Sequence, residues 1–454
     1  MKKLIGFLTF VSLAVSVAFA DIYNSSRYVE LGFDFDAGLN QNVFTMADIF
    51  MTGNSDNPGL VVIDFTKIAD DMTKMNQKGL VIDGELGMDG FLKLNFKRFQ
   101  VGLVTNFSSS GNFFVGKDLF TILGKGNEIG KEYEISEGGY FESFVSTSLP
   151  IGIRIGRFKI TATPTAFIPI VYIPETTSSV KFTAKNNGAI SAEANANFTA
   201  YGIFDLTGLN GVMDEISSLT STTEISTGST LSYTELMSNL QMENMLSDVL
   251  NSMGFDVNLA AEMALFSALD VGAYANVPIV PAKLHNSVSG NASWAFSMDG
   301  VLNSLGGETT SSTFEQPTFS GLVFSNSENY TVNRPFRFGA EAAFRPFGKW
   351  LTVRGKGGVA MRNPFGADFN ITNSINTSSM YPEYKVGADL RLLYVFNFSL
   401  SHEYTDKVFV NRLGLGLNFR VLELDFALAT SSTNFVRSFQ VSGLQAALGM
   451  RIGF

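Results

Sequence analysis

Residues 80–97 read LVIDGELGMDGFLKLNFK, and every charge in the stretch obeys one parity. Leu80, Ile82, Leu86, Met88, Leu92, Leu94 and Phe96 fall on one side of a two-residue repeat, with Gly84 and Gly90 among them. Asp83, Glu85, Asp89, Lys93 and Lys97 all fall on the other. Successive side chains of a strand point to opposite faces, so this repeat predicts a strand with one apolar and one charged face. In a lipid-facing barrel the outward residues must be apolar, while the inward ones carry charge freely.

The last third of the chain repeats the pattern. Phe336, Phe338, Ala340, Ala342 and Phe344 oppose Arg337, Glu341 and Arg345; Val386, Ala388, Leu390, Leu392 and Tyr394 oppose Lys385, Asp389 and Arg391. Leu413, Leu415, Leu417 and Phe419 oppose Arg412 and Arg420, and Leu422, Leu424, Phe426 and Leu428 oppose Glu423 and Asp425. A final run sets Leu444, Ala446, Leu448, Met450, Ile452 and Phe454 against Gln445, Gly449, Arg451 and Gly453. Such runs lie near 27–39, 80–97, 99–108, 139–155, 158–172, 178–186, 189–204, 256–276, 282–298, 335–345, 350–361, 383–394, 396–404, 407–418, 421–431 and 437–454. The expected fold class is all-β: a transmembrane antiparallel β-barrel of 14–16 strands, an even number being usual for such walls.

Connections alternate between tight and long. Tight turns are expected at Lys97-Arg98, Gly156-Arg157, 185–188, 346–349, Val395 and Arg420; long polar segments at 109–138, 205–255, 299–334 and 362–382. Short periplasmic turns and longer outer loops produce that asymmetry. Two segments carry helical spacing instead. After Asp64, Phe65, Ile68, Ala69, Met72 and Met75 recur at three and four residues. Ser232-Tyr233-Thr234-Glu235 reads as a capping box before Leu236, Leu240, Met245, Leu246, Val249, Leu250 and Met253, with Gly254 as a stop. The apolar segment 40–79 is expected to plug the lumen as an N-terminal helical hatch or to cap one end, and 205–255 to be a long outer loop bearing an amphipathic helix.

Met1-Lys2-Lys3, the apolar run 4–17 and Ala18-Phe19-Ala20 read as an export signal over residues 1–20, cleaved between Ala20 and Asp21. The mature chain 21–454 is then a single barrel unit in a bacterial outer membrane. With no cysteine, disulfides and thiolate metal sites are excluded. A net charge of −10 with interspersed signs is not a nucleic-acid footprint, so no nucleic-acid partner is expected. The 42 Phe and 43 Gly, set against 16% charged residues and short alternating runs, fit a barrel.

Chemistry-bearing constellations are scarce. His285 and His402 fall in different strands, and no spacing suggests converging metal ligands. The stretch 124–131 (GKGNEIGK) fails the spacing of both phosphate-binding patterns. Asp34/Asp36 and Asp83/Glu85 read as ordinary lumen charges. No enzyme and no cofactor is expected. The candidate ligand-capture surface is the apolar stripe Leu236, Leu240, Met245, Val249 and Met253, set against the plainer reading of a loop helix packed on the barrel mouth.

Asn57-Pro58-Gly59-Leu60, the apolar helix-bearing loop at 205–255, and the block from Gly156-Arg157-Phe158-Lys159-Ile160 through Phe167-Ile168-Pro169-Ile170-Val171-Tyr172-Ile173-Pro174 together resemble the FadL-type hydrophobic-compound transporters of the outer membrane, especially their divergent spirochaetal members. The resemblance implies a 14-stranded barrel, an N-terminal hatch and uptake of long-chain fatty acids or other hydrophobic molecules. The strand-like run Val29, Leu31, Phe33, Phe35, Ala37, Leu39 before Asn57-Pro58-Gly59 departs from that pattern.

The expected function is passive passage of hydrophobic small molecules across the outer membrane. A porin-like diffusion channel and a surface adhesin or structural barrel are the alternatives. Expected partners are outer-membrane lipid, a hydrophobic ligand, and the barrel-assembly machinery, for which Met450, Ile452 and Phe454 form the candidate signal.

Overall fold

The computed structural model describes residues 27–43, 65–74, 78–185, 189–203, 245–298, 312–314, 318–319, 322–326, 330–332, 334–348, 350–361, 380–405, 408–432 and 434–454. The first strands are β1 (Val29–Gln41), β2 (Gly79–Asn95), β3 (Phe99–Gly116), β4 (Glu132–Ser148), β5 (Ile151–Ile155), β6 (Phe158–Ala184) and β7 (Ile190–Gly202). Next come β8 (Gly254–Phe266), β9 (Leu269–Val280), β10 (Ala282–Leu284) and β11 (Asn286–Met298). Four short pieces, β12 (Ser312–Phe314), β13 (Thr318–Phe319), β14 (Val323–Ser325) and β15 (Tyr330–Val332), lead into β16 (Phe336–Phe344). The wall ends with β17 (Leu351–Met361), β18 (Met380–Leu392), β19 (Phe396–Thr405), β20 (Val408–Asn418), β21 (Leu422–Ser432) and β22 (Gly443–Gly453). The helices are α1 (Phe65–Lys74), α2 (Lys117–Lys125), α3 (Met245–Ser252) and α4 (Phe435–Ser438).

The ladders form a closed ring. From β1 it runs through β2, β3, the β4–β5 pair, β6, β8, β9 and β16. It continues through β17, β18, β19, β20, β21 and β22, which pairs back onto β1 from Glu30↔Gly453 to Leu39↔Leu444. Every pairing is antiparallel, and closure leaves no wall edge to meet lipid. Sixteen strands of nine or more residues fill fourteen positions, because β7 sits above β8 and β11 sits above β9.

Exposure fixes which face is which. Leu92 is 40% exposed and Leu86 36%, while their neighbours Lys93 and Asp89 are 5% and 2%. Leu31, Ile160, Leu413, Leu428 and Ile452 are exposed on the same outer side. Inside, charges neutralise one another across strands: Arg451–Asp425 at 3.2 Å, Arg354–Asp389 at 3.0 Å, Lys159–Glu262 at 2.7 Å and Arg345–Asp270 at 2.6 Å. The alternation of 80–97 is therefore a lipid face and a lumen face.

One end of the barrel carries the tight turns at Lys97-Arg98, Gly156-Arg157, Ser267-Ala268, 345–350, 393–395 and 419–421, together with β1's start and β22's end. At the β5–β6 turn Gly156 has φ +62°, the left-handed conformation that favours glycine. Lys185 and Ala189, which flank the expected 185–188 turn, lie at the opposite end, atop β6, while 186–188 lie outside the described residues. Several expectations change, 139–155 dividing into β4 and β5 and 282–298 into β10 and β11. Residues 158–172 and 178–186 are one strand of 27 residues, β6, and 256–276 is two strands turning at Ser267-Ala268. The segment 109–138 is the tops of β3 and β4 with α2 between them, and 437–442 is a helical turn and loop before β22.

α1 forms over 65–74 as its spacing predicts, with Ala69 and Met72 buried. It packs with α2 on Val43, Leu80, Val115 and Phe120. Leu80 and Val115 have the parity of the lipid-facing Leu92 and Leu103, so this helix pair caps the outer side of the β2–β3 rim. The described part of the expected hatch is thus a rim helix; residues 44–64 and 75–77 lie outside the described residues. Gly124 makes the close approach: a Cβ there would lie 2.5 Å from the Thr66 amide nitrogen. Thr66 Oγ1 donates to the Gly124 carbonyl at 2.8 Å, and Lys125 pairs with Asp70 at 2.5 Å.

Candidate functional site

Proline is concentrated where the wall changes character. Of 12 prolines, Pro164, Pro169 and Pro174 lie in β6, Pro278 near the end of β9, Pro281 before β10 and Pro335 before β16. Proline lacks an N–H and cannot donate to a ladder, so a cluster of them forces neighbouring strands out of register together. The β4–β6 register shifts between Ser143 and Phe144, and the β8–β9 register between Phe255 and Asp256. The β6–β7 register shifts between Tyr172 and Thr177. β7 ends here, Ile203 donating to the Ile170 carbonyl, and β8 begins below it at Gly254, opposite Phe167. Above the turn at Gly156-Arg157, Phe167 stands nine residues along β6 from Phe158. At a rise of ~3.3 Å per residue and a tilt of ~40° that is roughly 25 Å up, the upper margin of an apolar belt about 25 Å tall.

Inside the break the lumen ceases to be polar. Phe144, Phe167, Tyr172, Ile203, Ala282, Leu284 and Val332 form a buried cluster, each at most 6% exposed. Phe144 and Phe167 share the parity of the inward Ser146 and Lys159, so the cluster belongs to the lumen side. Tyr330 lies between Tyr172 and Tyr201, with ring centroids 4.7 and 4.9 Å away. Such offset aromatic pairs contribute ~0.5–1.5 kcal/mol each beyond the area they bury. On the outer side of the same break, Ile279 and Val280 are 55% and 47% exposed.

Two polar features border this apolar surface. Arg334 and Asp256 pair at 3.2 Å, with the Asp256 side chain 3% exposed, and the guanidinium lies 4.1 Å above the Phe167 ring. Ser110 Oγ donates to Glu142 Oε1 at 2.7 Å, and Glu142 is 4% exposed. No group of three or more metal-ligating side chains occurs among the described residues. His402 instead shares hydrogen bonds with the Tyr384 hydroxyl at 3.0 Å and Asn411 Oδ1 at 2.6 Å.

The expected capture stripe is only partly brought here. α3 spans Met245–Ser252, inside the helical spacing read over 234–253, of which 234–244 lie outside the described residues. Its Val249 packs on the cluster, while Met253 is 37% exposed. Leu236 and Leu240 lie outside the described residues, as do the Met245 side chain and the cleavage pair Ala20 and Asp21. So Val249 meets the barrel from the lumen side rather than standing outside it. Met450, Ile452 and Phe454 are exposed on the lipid face at 42%, 43% and 75%. The aromatic cluster itself went unforeseen: its members come from five separated stretches. Its one signal in the sequence was proline density within strand-like runs.

Among known proteins, no family model matches the chain, and no curated sequence does. Solved structures do align along its length. The P. putida toluene transporter TodX is 8% identical over 95% of this chain and 91% of that one, with a TM-score of 0.45. The Ralstonia pickettii toluene transporter TbuX is 8% identical over 95% and 90%, with a TM-score of 0.41. The monoaromatic hydrocarbon channel CymD is 10% identical over 97% and 94%, with a TM-score of 0.39. All three values lie below 0.5, so the architecture of this chain rests on its own registers: it is a closed, transmembrane, antiparallel β-barrel of fourteen wall positions with one interrupted side.

Proposed function

We propose that the protein is a passive outer-membrane transporter for hydrophobic small molecules, long-chain fatty acids among them. One observation carries the reading: an aromatic-lined apolar cluster on the lumen side of the wall, at the height where five neighbouring strands, β4, β6, β7, β8 and β9, lose register. A route for water-soluble solutes needs no such surface, and burying it in a lumen serves a ligand that itself avoids water. Because the break lies at the upper margin of the apolar belt, a ligand leaving the cluster sideways reaches lipid directly. Val249 of α3 contributes to the same surface, which makes α3 the side from which ligand arrives.

Uptake of a fluorescent fatty acid and of a radiolabelled aromatic hydrocarbon by cells making the barrel tests this. Tyr172→Ala removes the wall ring stacked on Tyr330 and is expected to raise the half-saturating concentration about tenfold, the equivalent of ~1.4 kcal/mol. Uptake no faster than in cells lacking the protein, with the barrel assembled, refutes the reading; large steady currents in planar bilayers favour the porin-like channel instead.

A further inference from the structure

We propose that β10 and β15 form a gate over the lumen cluster, and that the Arg334–Asp256 pair is its latch. This rests on reading the cluster as the site of passage. Among the described residues the two strands pair with each other alone, through Ala282↔Val332, Lys283↔Thr331 and Leu284↔Tyr330, as a two-stranded sheet set between two stretches of wall ladder. Below them the wall ladder resumes at Asn276↔Arg337, and above at Ser287↔Ser325. Pro281 and Pro335 stand at the lower end of the ribbon, one on each strand, where neither can donate the hydrogen bond that would extend the ladder.

A three-residue ribbon has little stability of its own. Its inward side chains hold it: Ala282, Leu284 and Val332 are each 0% exposed and fill the apolar surface a ligand would use. The ribbon therefore competes with ligand for one surface, and a hydrophobic molecule that displaces it shifts the population toward the open form. Arg334 follows β15 and reaches Asp256 in β8 at 3.2 Å, under the gate. A buried ion pair is a poor source of stability but fixes one arrangement against alternatives, because each charge is costly to leave alone. Here it ties the short ribbon to the wall strand beside it.

The chain has no cysteine, so a single Leu284→Cys reports the gate cleanly through its labelling rate with a small maleimide. In the parent barrel labelling is expected to be slow, and adding Asp256→Asn or Arg334→Gln is expected to speed it at least ~10-fold by raising the open population. The double variant should label no faster than the quicker single, since both remove one latch. Arg345→Gln, which breaks the Arg345–Asp270 pair by the tight turns, should leave the rate unchanged. Equal labelling in all assembled variants overturns the gate, whatever uptake does; faster labelling with unaltered uptake keeps the gate and overturns the transport reading. Should the latch variants fail to assemble, hydrogen exchange in the unsubstituted barrel decides. Amides of 282–284 and 330–332 exchanging ~100-fold faster than those of the β9–β16 ladder support the gate, and uniform protection overturns it.

Discussion

The Phe454 amide donates to the Val29 carbonyl at 3.1 Å, and the Phe454 carbonyl accepts from Tyr28 and Val29 at 2.8 and 3.1 Å. The seam between β22 and β1 is therefore tied down to its last residue, while the Phe454 ring, 75% exposed, faces outward. Main chain and ring are separable in function. Deleting Phe454 is expected to reduce the assembled fraction several-fold, read as heat-modifiable gel mobility. Phe454→Ala keeps the backbone bonds; if the ring is the assembly signal it should fall as far as the deletion. Full assembly of both variants would remove Phe454 from that role.

Leu413 is 61% exposed near the middle of β20, where lipid is thickest. Leu413→Lys should cost ~2–4 kcal/mol in urea unfolding from bilayers. Thr352→Lys, at an inward position opposite Asp389, should change stability by less than ~1 kcal/mol. Equal losses at the two positions would contradict the assignment of faces.

At the rim, Gly124→Val would push a side chain into the start of α1, whose Thr66 Cα lies 2.7 Å from a Cβ built there. The expected cost is ~1–3 kcal/mol, confined to the helix pair. Amides of 65–74 should lose their exchange protection while those of β20 and β21 keep it.

The same contact responds to acid. The Lys125 ammonium, by hydrogen bond and by charge, holds the Asp70 carboxyl below the usual carboxylate range. A carboxyl lowered in the docked state stabilises docking fully above its free value and loses that contribution as pH falls through the lowered one. Helix docking should therefore be insensitive to pH near neutrality and loosen in acid below the ordinary aspartate value. Asp70→Asn should abolish that acid-sensitive component of exchange in 65–74.

The wall was legible in the sequence wherever one strand meets lipid on one side and charge on the other. Asp83, Glu85, Asp89 and Lys93 mark the lumen face of β2, and Arg451 that of β22, because no competing force places charges in lipid. Legibility failed where that contrast lapses. The top of β3, residues 108–112 (SSSGN), carries no apolar alternation, yet it pairs fully with β2 and β4. The turn at Ser267-Ala268 has no glycine or proline to announce it, so β8 and β9 read as one strand. The reverse holds for the run 158–172, read as ending ahead of Pro174, whereas the strand runs on to Ala184 through a register shift. The lumen cluster was invisible for another reason. Tyr172, Leu284 and Val332 are ordinary apolar residues locally, and only the folded ring brings them together.

The shared wall position of β7 and β8 constrains the order in which this molecule takes shape. A plain meander can be laid down hairpin by hairpin, each new strand finding the one just before it. Here β7 has its second neighbour in β11, and between them in the chain come β8 and β9, which turn and pair underneath. The seam from Ile190↔Met298 to Gly202↔Asn286 thus closes across a sequence separation far larger than any simple hairpin's. Loop-closure entropy makes such contacts late and slow. The interrupted side should be the last part of the wall to complete, so a nascent barrel stays open longest where the mature one keeps its break.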